Sequence, residues 1–297
     1  MTDQRSPGNA FDVAFVGRAN IDLTVRVPRR ASPGRTTFAS SLTASPGGKS
    51  LNQAVAAARR GGRCCLIANV GADGWGQQVT AALADEGVDT RHVTLLPDAT
   101  TGAAIIEVTP DGESHITLAL STATELTADD IRRAVDALDE QAVVVQLDLP
   151  PEPVTALLHQ RPAPIIIGNL VPYPNLDKTL LRQLDVLVLN QHEAAAILHT
   201  TNDDPLTAAA GLQQLGPRVV VVTAGAQGAA YVNSHGSGRV PAPTVPVVDT
   251  TGAGDAFLGS LAVDLARHVP LPDALTTAVQ VGSAAVQHGG AQSATNE

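Results

Sequence analysis

Hydrophobic positions along this chain fall into short β-branched runs that alternate with longer, Ala-rich stretches. The β-branched runs predict buried strands at residues 13–17, 65–70, 142–147, 165–169, 186–190 and 218–223. The Ala-rich stretches predict helices at residues 51–60, 77–85, 128–138, 179–183, 193–198, 205–215, 255–268 and 272–288. Strands that alternate with helices are typical of a parallel sheet whose strands are joined by crossover helices. We therefore expect an α/β protein built on a mainly parallel sheet.

Two segments interrupt this alternation. Residues 21–43 predict two strands around a turn at Ser32-Pro33-Gly34, and residues 102–120 predict a hairpin that turns at Pro110-Asp111-Gly112. Together they predict a small β-sheet, inserted at about residues 20–45 and 101–121, that projects from the edge of the core and acts as a lid. Ordinary edge strands of the main sheet are the alternative. Since the sequence contains no internal repeat and no linker, we expect one domain over residues 1–297.

Composition and charge narrow the class of protein. Hydrophobic residues make up 44% of the chain and the mean hydropathy is +0.09, which is typical of a globular protein. The 29 acidic and 19 basic residues give a net charge of −10, and this disfavours nucleic acid as a partner, because phosphate backbones require a basic surface. The adjacent Cys64 and Cys65 are expected to be buried thiols. We find no signal peptide and no apolar window that would span a membrane, so we expect a cytoplasmic protein.

The first of two glycine loops is the stretch V-V-D-T-T-G-A-G-D-A-F, at residues 247–257. It predicts an apolar strand that leads directly into a helix, with Gly252 and Gly254 allowing a ligand to approach the backbone. A helix N-terminus attracts anions, and a phosphate is the anion we expect. Asp255 would repel that phosphate unless it took a proton from an attacking hydroxyl, and a simple helix cap is the alternative. Phe257 stands where a dinucleotide fingerprint requires Gly or Ala, which disfavours a Rossmann oxidoreductase.

The second glycine loop, P-G-G-K-S-L-N, ends at Asn52 and resembles the end of a Walker A loop. That motif requires Gly where Thr43 stands, so a P-loop is disfavoured. A Gly-Gly turn that leads into a helix remains, with Lys49 and Asn52 placed to bind a small polar ligand. Asn20 and Asp22 follow the first strand and can point the same way to bind a diol, and a turn or cap is the alternative for this pair.

Three motifs, taken together and in this order, resemble the ribokinase (PfkB-type) family of carbohydrate kinases. They are Gly17-x-x-Asn20-x-Asp22, Gly47-Gly48-Lys49-x-x-Asn52-Gln53-Ala54 and Asp249-Thr250-x-Gly252-Ala253-Gly254-Asp255. The resemblance extends over nearly the whole chain and is nearest to the ribokinase branch. It implies a three-layer α/β/α core with a β-sheet lid over the sugar. It also implies phosphate transfer from ATP to a primary hydroxyl of a sugar, with D-ribose as the first candidate.

The resemblance implies roles for individual residues. Asp255 resembles the general base that deprotonates the sugar hydroxyl, and the backbone of Gly252, Ala253 and Gly254 resembles the anion hole. The sugar contacts correspond to Asn20, Asp22, Gly48, Lys49, Asn52, Asp148 and Asp255, where Asp148 replaces the usual Glu. The ATP contacts correspond to Asn190, Glu193, Thr223, Gly225, Gly228 and Gly254.

The resemblance also implies ions. Glu193 would organise Mg²⁺ through water, with a helix-start carboxylate as the alternative role. A K⁺ ion would be held at the positions Asp249, Thr251, Ala285, His288 and Gly290, mostly through main-chain carbonyls. The family's K-G-A-Q-x-S run appears here as G-G-A-Q-S-A, so the chain departs from the pattern at this site. A solvent-exposed histidine at a helix end is the alternative for His288.

Several substrates and partners stay open. Within the family, fructose, adenosine or a keto-deoxy sugar acid is the alternative acceptor, and an acid would need an Arg near the lid, where Arg18, Arg26 and Arg35 are available. Leu51 stands where ribokinases have a small residue and could narrow the sugar pocket. A non-catalytic binding protein is the alternative in another class, although the retained Asp255 argues against it. We expect sugar and ATP as partners, no nucleic acid, no membrane, and a homodimer formed through the lid.

Overall fold

Two β-sheets and the helices around them make up the computed structural model, which describes residues 11–111, 113–169, 177–201 and 204–292. In chain order the strands are β1 (Val13–Val16), β2 (Asn20–Arg26), β3 (Ser41–Gly47), β4 (Cys64–Gly71), β5 (Val93–Leu96), β6 (Ala103–Val108), β7 (Ser114–Ala119), β8 (Ala142–Gln146), β9 (Ile165–Asn169), β10 (Val186–Asn190), β11 (Val219–Thr223), β12 (Ala229–Asn233) and β13 (Gly236–Val240). The α-helices are α1 (Lys49–Arg59), α2 (Gly74–Asp85), α3 (Ala128–Val135), α4 (Pro151–Gln160), α5 (Gln191–Leu198), α6 (Pro205–Gln213), α7 (Ala253–Ala266) and α8 (Leu271–Ala285).

The larger sheet has the strand order β13-β12-β11-β10-β9-β8-β1-β4-β5 within the described ranges. From β5 to β11 every neighbouring pair is parallel, and β12 and β13 add an antiparallel hairpin at one edge. The prediction of a mainly parallel sheet is therefore confirmed.

Helices cover both faces of the larger sheet, which explains why its strands are continuous apolar runs. Successive side chains of β1 point in opposite directions, so that Val13 and Phe15 enter one core while Ala14 and Val16 enter the other. Helices α1, α2, α7 and α8 bury the first face, and α3, α4, α5 and α6 bury the second. This arrangement confirms the three-layer α/β/α core that the family resemblance implied.

The smaller sheet has the order β3-β2-β6-β7 and is separate from the larger one. Strands β2 and β3 pair antiparallel around a turn in which the Arg35 amide donates to the Ser32 carbonyl at 2.9 Å. Strands β6 and β7 form the second hairpin, whose predicted turn residue Gly112 lies outside the described residues. Strands β2 and β6 pair in parallel and join the two halves. The two inserted segments thus form one small sheet, and the alternative of edge strands in the main sheet is wrong.

The structure differs from the predicted elements in several places. Helix α4, strand β5 and the β12–β13 hairpin were not predicted. Prolines at 150, 151 and 153 conceal α4 in the sequence, yet Pro151 occupies the first helical position, where no backbone N–H is needed. Residues 178–183 form a 3-10 helix rather than an α-helix, and α3, α6, α7 and α8 end earlier than predicted.

The apolar strand predicted before α7 is wrong. Val247 and Val248 are 64% and 69% exposed and belong to no strand. Pro243 and Pro246 remove backbone donors from this segment, so it cannot pair along a sheet. Instead, the Val248 amide donates to the carbonyl of Val286 at 2.7 Å, which fixes the entry to α7 against the end of α8.

The two cysteines are buried, as the sequence predicted. Cys64 and Cys65 are buried free thiols, and burial raises the pKa of Cys64 to about 12. Among the described residues, no helix has the length and apolar composition that crossing a membrane requires.

Candidate active site

The polar residues that end the parallel strands define the location of the site. Gln146, Asn169, Asn190 and Thr223 are the last residues of β8, β9, β10 and β11. Because these strands are parallel neighbours, the four side chains meet at the carboxyl edge of the sheet, where ligands bind in open α/β folds. The N-terminus of α7 reaches the same edge, since Gln53 contacts both Asn169 and Asp255.

Helix α7 begins at the first glycine loop, as the sequence predicted. Gly252 precedes the helix in the left-handed conformation, with φ of 77°, and a Cβ there would lie 2.5 Å from the Ala291 carbonyl oxygen. Glycine is therefore required at this position by both backbone angle and space. At Gly254 a Cβ would have no atom within 4 Å, so the first turn of α7 faces open space. The first N–H groups of a helix lack intrahelical partners, and this turn can bind an anion.

Asp255 lies in that first turn and is held by two side-chain amides of α1. The Gln53 Nε2 donates to Asp255 Oδ1 at 2.9 Å, and the Asn52 Nδ2 donates to Asp255 Oδ2 at 3.3 Å. Burial raises the pKa of the Asp255 carboxyl, while the hydrogen bond from Gln53 and the charge of Lys49 oppose that shift. The result is an oriented carboxylate whose proton affinity is higher than usual, as a general base requires.

Further amides hold Asn52 and Gln53 in that orientation. The Gln53 Oε1 accepts from Gln146 Nε2 at 2.7 Å, and the Asn52 Oδ1 accepts from Gln292 Nε2 at 3.0 Å. With their oxygens engaged in this way, both amides direct their NH₂ groups toward Asp255. Gln53, Gln146, Asn169 and Gln292 were not predicted to act in the site. The sequence does carry a signal for Gln146 and Asn169, because each is a polar residue at the end of an otherwise apolar strand.

The predicted sugar contacts form a second cluster beside Asp255. The Asn20 Nδ2 donates to Asp22 Oδ1 at 2.8 Å, and burial raises the pKa of Asp22 against this hydrogen bond. Gly48 has φ of 98°, and a Cβ there would lie 2.7 Å from Asn20 Oδ1, so only glycine lets the loop approach this pair. The negative charge of Asp22 also acts on Asp255, which places the pair within electrostatic range of the candidate base.

Lys49 connects this cluster to the Asn190-x-x-Glu193 element. Its Nζ lies 3.9 Å from Glu193 Oε1. Asn190 and Glu193 form a capping box, in which the Glu193 amide donates to Asn190 Oδ1 and the Asn190 amide donates to Glu193 Oε2. Burial raises the pKa of Glu193 and nearby Asp148 and Asp255 add to the shift, whereas Lys49 opposes it. The helix-cap role of Glu193 is thus present, and its second oxygen faces Lys49.

Asp148 is paired with an arginine that was not among the predicted site residues. The Arg18 Nη1 lies 3.3 Å from Asp148 Oδ2, and Arg18 Nη2 donates to the Asp148 carbonyl at 3.0 Å. Glu125 binds the same guanidinium through both of its carboxylate oxygens. The sequence offered Arg18 only as one of three arginines near the small sheet, and Glu125 carried no signal.

A mainly apolar cleft of about 300 Å³ extends from the other side of the α7 N-terminus. Thr223, Gly225, Gly228 and Gly254, all predicted to contact ATP, line this cleft. Its other walls come from α8 and from the segment that precedes α7. The predicted residues Asn190 and Thr223 are paired neighbours in β10 and β11, but Asn190 and Glu193 do not line this cleft.

The positions predicted to hold a monovalent cation also lie together. Asp249 Oδ1 accepts from the Thr251 amide and Asp249 Oδ2 accepts from the Gly290 amide, each at 2.9 Å. The carbonyl of Ala285 accepts from the amide of His288, whose side chain is exposed. Burial opposes ionisation of Asp249, but the hydrogen bonds outweigh it and lower the pKa of this carboxyl. The Asp249 carboxylate and the Ala285 carbonyl supply oxygen atoms, which is the donor type that a hard cation such as K⁺ takes.

A magnesium ion would have few protein ligands here. Across the described part of the chain, no group of three or more His, Cys, Asp and Glu side chains is placed to hold a metal ion. Mg²⁺ commonly keeps several waters and binds through substrate phosphates with one or two carboxylates. Glu193 is therefore the carboxylate that fits a magnesium ion arriving with a nucleotide.

Comparison with known proteins agrees with this arrangement. The model of the pfkB family of carbohydrate kinases matches residues 10–297. The chain belongs to this family. The structure brings residues of all three quoted motifs together around Asp255.

Two relatives and one solved structure illustrate the similarity. Ribokinase of Bacillus subtilis is 32% identical over 287 residues, which cover 95% of this chain and 94% of that protein. Deoxyribokinase of Salmonella typhi is 30% identical over 290 residues and 95% of both chains. The structure of Arabidopsis thaliana ribokinase complexed with ribose and ATP matches with a TM-score of 0.84 and 26% identity, over 96% of this chain and 95% of that one. This pfkB family member therefore shares both sequence and fold with sugar kinases.

Proposed function

We propose that this protein transfers the γ-phosphoryl group of ATP to the primary hydroxyl of D-ribose, giving ribose 5-phosphate and ADP. The observation that carries the proposal is the position of Asp255 between two binding regions. Its neighbour Gly254 lines the apolar cleft, and its carboxylate receives a hydrogen bond from Asn52 of the acceptor cluster. The similarity to ribokinases over nearly the whole chain supports ribose as the acceptor.

Asp255 acts as the general base in this proposal. Asn20, Asp22, Gly48, Lys49, Asn52 and Asp148 bind the sugar and direct its primary hydroxyl toward Asp255. The carboxylate takes the hydroxyl proton as the oxygen attacks the γ-phosphorus, and the bond to the β–γ bridging oxygen breaks to release ADP. The proton affinity that burial gives Asp255 suits this transfer.

The N-terminus of α7 stabilises the charge on the transferring group. The N–H groups of Gly252, Ala253 and Gly254 would donate to its equatorial oxygens, and the helix dipole favours the same charge. Thr223, Gly225 and Gly228 allow the nucleotide to lie against the backbone of the cleft. Lys49, whose Nζ lies 3.9 Å from Glu193 Oε1, would offset the negative charge of Glu193 and of the bound phosphates.

We propose Mg²⁺ and K⁺ as the ions of the reaction. Glu193 would hold Mg²⁺ through water, and the ion would neutralise phosphate charge when bound. Asp249 and Thr251, which precede α7, and Ala285, His288 and Gly290, at and after the end of α8, would hold K⁺ between them. The ion would fix the segment that precedes α7. We expect the reaction in the cytoplasm, where ATP and free sugars are both present.

A second copy of this chain is the partner we propose for the smaller sheet. Leu42, Ile105, Ile116 and Leu118 are large apolar side chains exposed on that sheet. Ile116 and Leu118 share the face that carries Asp22, as the strand register requires. Covering this face with a second copy would bury apolar surface and shield the acceptor site, which supports a homodimer. Sedimentation equilibrium of the wild type and of Ile116→Lys tests it, and a monomeric wild type would contradict the proposal.

The function is tested by ADP formation with a panel of acceptors. The panel is D-ribose, 2-deoxy-D-ribose, D-fructose, adenosine and a keto-deoxy sugar acid, each with MgATP and with either K⁺ or Na⁺. Deoxyribose is the second candidate, because a deoxyribokinase is 30% identical to this chain. We expect the highest kcat/KM for ribose and faster turnover with K⁺. Turnover of another acceptor in preference to both pentoses would overturn the assignment of ribose.

A further inference from the structure

Arg18, Glu125 and Asp148 form a charge cluster beside the proposed acceptor site. The Arg18 Nε lies 2.7 Å from Glu125 Oε1, and Arg18 Nη2 lies 3.0 Å from Glu125 Oε2. The remaining terminal nitrogen, Nη1, lies 3.3 Å from Asp148 Oδ2. Each of the three side chains is at most 24% exposed, so solvent screens these contacts only in part.

The cluster borders the residues that we assign to the sugar. Arg18 follows β1 and precedes Asn20 by two residues, and a Cβ on Gly48 would lie 2.8 Å from the Arg18 carbonyl oxygen. Asp148 acts electrostatically on Glu193, together with Asp255 and Lys49. The guanidinium therefore lies at the edge of the acceptor site, where an arginine can decide which acceptors bind.

The contacts of Arg18 leave it unsuited to binding an acidic acceptor. An arginine recognises a carboxylate best through two parallel N–H donors, and Glu125 already occupies such a pair. Asp148 takes the remaining terminal nitrogen. The one positive charge of Arg18 is thus balanced by two carboxylates.

The other charges near the acceptor are also mainly negative. Asp22, Glu193 and Asp255 face this region, and the nearby cation is Lys49, which lies 3.9 Å from Glu193. An acceptor with a carboxylate would meet net negative charge, whereas a neutral polyol would meet hydrogen-bond acceptors for its hydroxyls.

We propose that Arg18 is a specificity-determining residue, which Glu125 and Asp148 neutralise so that the site selects neutral polyhydroxy acceptors over sugar acids. This inference rests on the proposed function, because it assigns the substrate class of the same site. Arg18 also holds one oxygen of Asp148, and we assign the other, Oδ1, to an acceptor hydroxyl. The pairing thereby fixes a carboxylate that is one methylene shorter than the glutamate usual in ribokinases.

The test compares D-ribose with D-ribonate, which keeps the primary hydroxyl and carries a carboxylate. Both are titrated calorimetrically without nucleotide, and kcat/KM for both is measured with MgATP. The variants are Glu125→Gln, which releases the charge of Arg18, and Arg18→Gln, which removes it. Glu113→Gln, at an exposed turn of the smaller sheet, is the control with the same change in net charge as Glu125→Gln.

The two variants are expected to shift the preference in opposite directions. For Glu125→Gln, the ratio of ribose to ribonate affinity falls about ten-fold, and for Arg18→Gln it rises, as expected for close charges that are partly shielded from water. Glu113→Gln leaves the ratio unchanged. Loss of fold alone would weaken both ligands together and would not produce opposite shifts.

Two results would overturn the inference. One is an unchanged ratio in both Glu125→Gln and Arg18→Gln, and the other is a wild type that binds ribonate as tightly as ribose. The binding measurement separates this inference from the proposed function. If the wild type shows no turnover yet prefers ribose in the titration and the variants shift that preference, the kinase proposal fails and the role of Arg18 stands.

Discussion

The proposed nucleotide cleft and the proposed acceptor site meet at Asp255, yet different parts of the chain build them. The cleft is lined by glycines and small or apolar residues, so backbone and available space determine what binds there. The acceptor site is lined by paired polar side chains, such as Asn20 with Asp22 and Arg18 with Asp148. Substitutions that enlarge a side chain should therefore weaken ligand binding in the cleft, and substitutions that change a charge should weaken ligand binding in the acceptor site.

This difference also explains how far each region can distinguish one ligand from another. A glycine loop against a helix N-terminus fits any nucleotide phosphate, since N–H groups do not distinguish one nucleotide from another. Side-chain pairs have fixed donors, acceptors and charges, and they reject ligands that leave a buried partner unpaired. We therefore expect the acceptor to be determined by the residues around Asp22 and Asp148.

The largest effect is expected at Asp255, where the two regions meet. Asp255→Asn keeps the shape and the contact with Gln53 but removes the base, so kcat/KM should fall on the order of 10²–10⁴-fold. Steady-state ADP formation measures this loss. The control is Asp273→Asn, an exposed carboxylate in the first turn of α8, which should retain wild-type activity. An Asp255→Asn variant with more than a tenth of wild-type activity would exclude Asp255 as the base.

Alanine substitutions at Gly252 and Gly254 should have different effects, the first on stability and the second on ATP binding. Gly252→Ala should lower the free energy of unfolding by about 1–3 kcal/mol, because a left-handed φ and the Ala291 carbonyl both oppose a side chain. Gly254→Ala should leave stability unchanged or raise it by up to about 1 kcal/mol, because alanine favours the helix. Its methyl group enters the open space of the cleft, however, so kcat/KM for ATP should fall. Thermal unfolding and kinetics of both variants test this contrast, and equal losses of stability would contradict it.

The charge of Lys49 should influence the pH at which activity is lost on the acidic side of the pH profile. Burial raises the pKa of Asp255 and the charge of Lys49 lowers it, so Lys49→Gln should raise that pKa further. The base is active when deprotonated, and the acid limb of log kcat/KM should therefore move to higher pH in this variant. The control is Lys178→Gln, at the other lysine of the chain, whose Nζ donates to the Ile197 carbonyl. An acid limb at the same pH in Lys49→Gln and in the wild type would show that Lys49 does not affect the pKa of Asp255.

Glu140 should affect stability and leave activity unchanged, because it is buried beside Cys65. Burial raises its pKa from 4.5 to about 7. The folded state therefore binds the proton more tightly than the unfolded state, and this contribution, roughly 3 kcal/mol at most, is present below pH 4.5 and is lost as the pH rises through 7. Urea unfolding of Glu140→Gln should show a weaker loss of stability between pH 5 and 8 than the wild type. An identical pH dependence would show that Glu140 is ionised in the folded protein.

Local sequence patterns indicated most residues of the candidate site but few of the contacts that orient them. Asn52, Asp249 and Asp255 belong to short motifs, in which spacing and helix position indicate a role. Gln292 donates a hydrogen bond to Asn52, which is 240 residues away along the chain, and Gln146 donates one to Gln53, which is 93 residues away. Such contacts depend on which strands and loops become neighbours, and spacing within a motif carries no information on that.

Predictions of the fold were likewise correct where the apolar pattern was decisive and wrong where other features determined the structure. Alternating apolar runs correctly predicted the parallel sheet, and the strand and turn patterns of the two insertions correctly predicted the smaller sheet. Helix α4 escaped prediction because prolines stand at its N-cap and at its first and third positions. The strand predicted at Val247-Val248 was wrong because the apolar residues there lie among prolines. In both cases the position of proline relative to backbone hydrogen bonds, rather than hydrophobicity, decided the structure.

The most direct test of the division between cleft and acceptor site is calorimetric titration of ATP and of D-ribose into two variants. Ser283→Phe fills the cleft from α8, and Asp22→Asn removes a charge from the acceptor site; Gln280→Phe, exposed on α8, is the control for the first. We predict that Ser283→Phe raises the Kd for ATP about ten-fold or more and that for ribose less than about two-fold, with the reverse for Asp22→Asn. Equal loss of both ligands in either variant, with the fold intact, would contradict the division into two separately built regions.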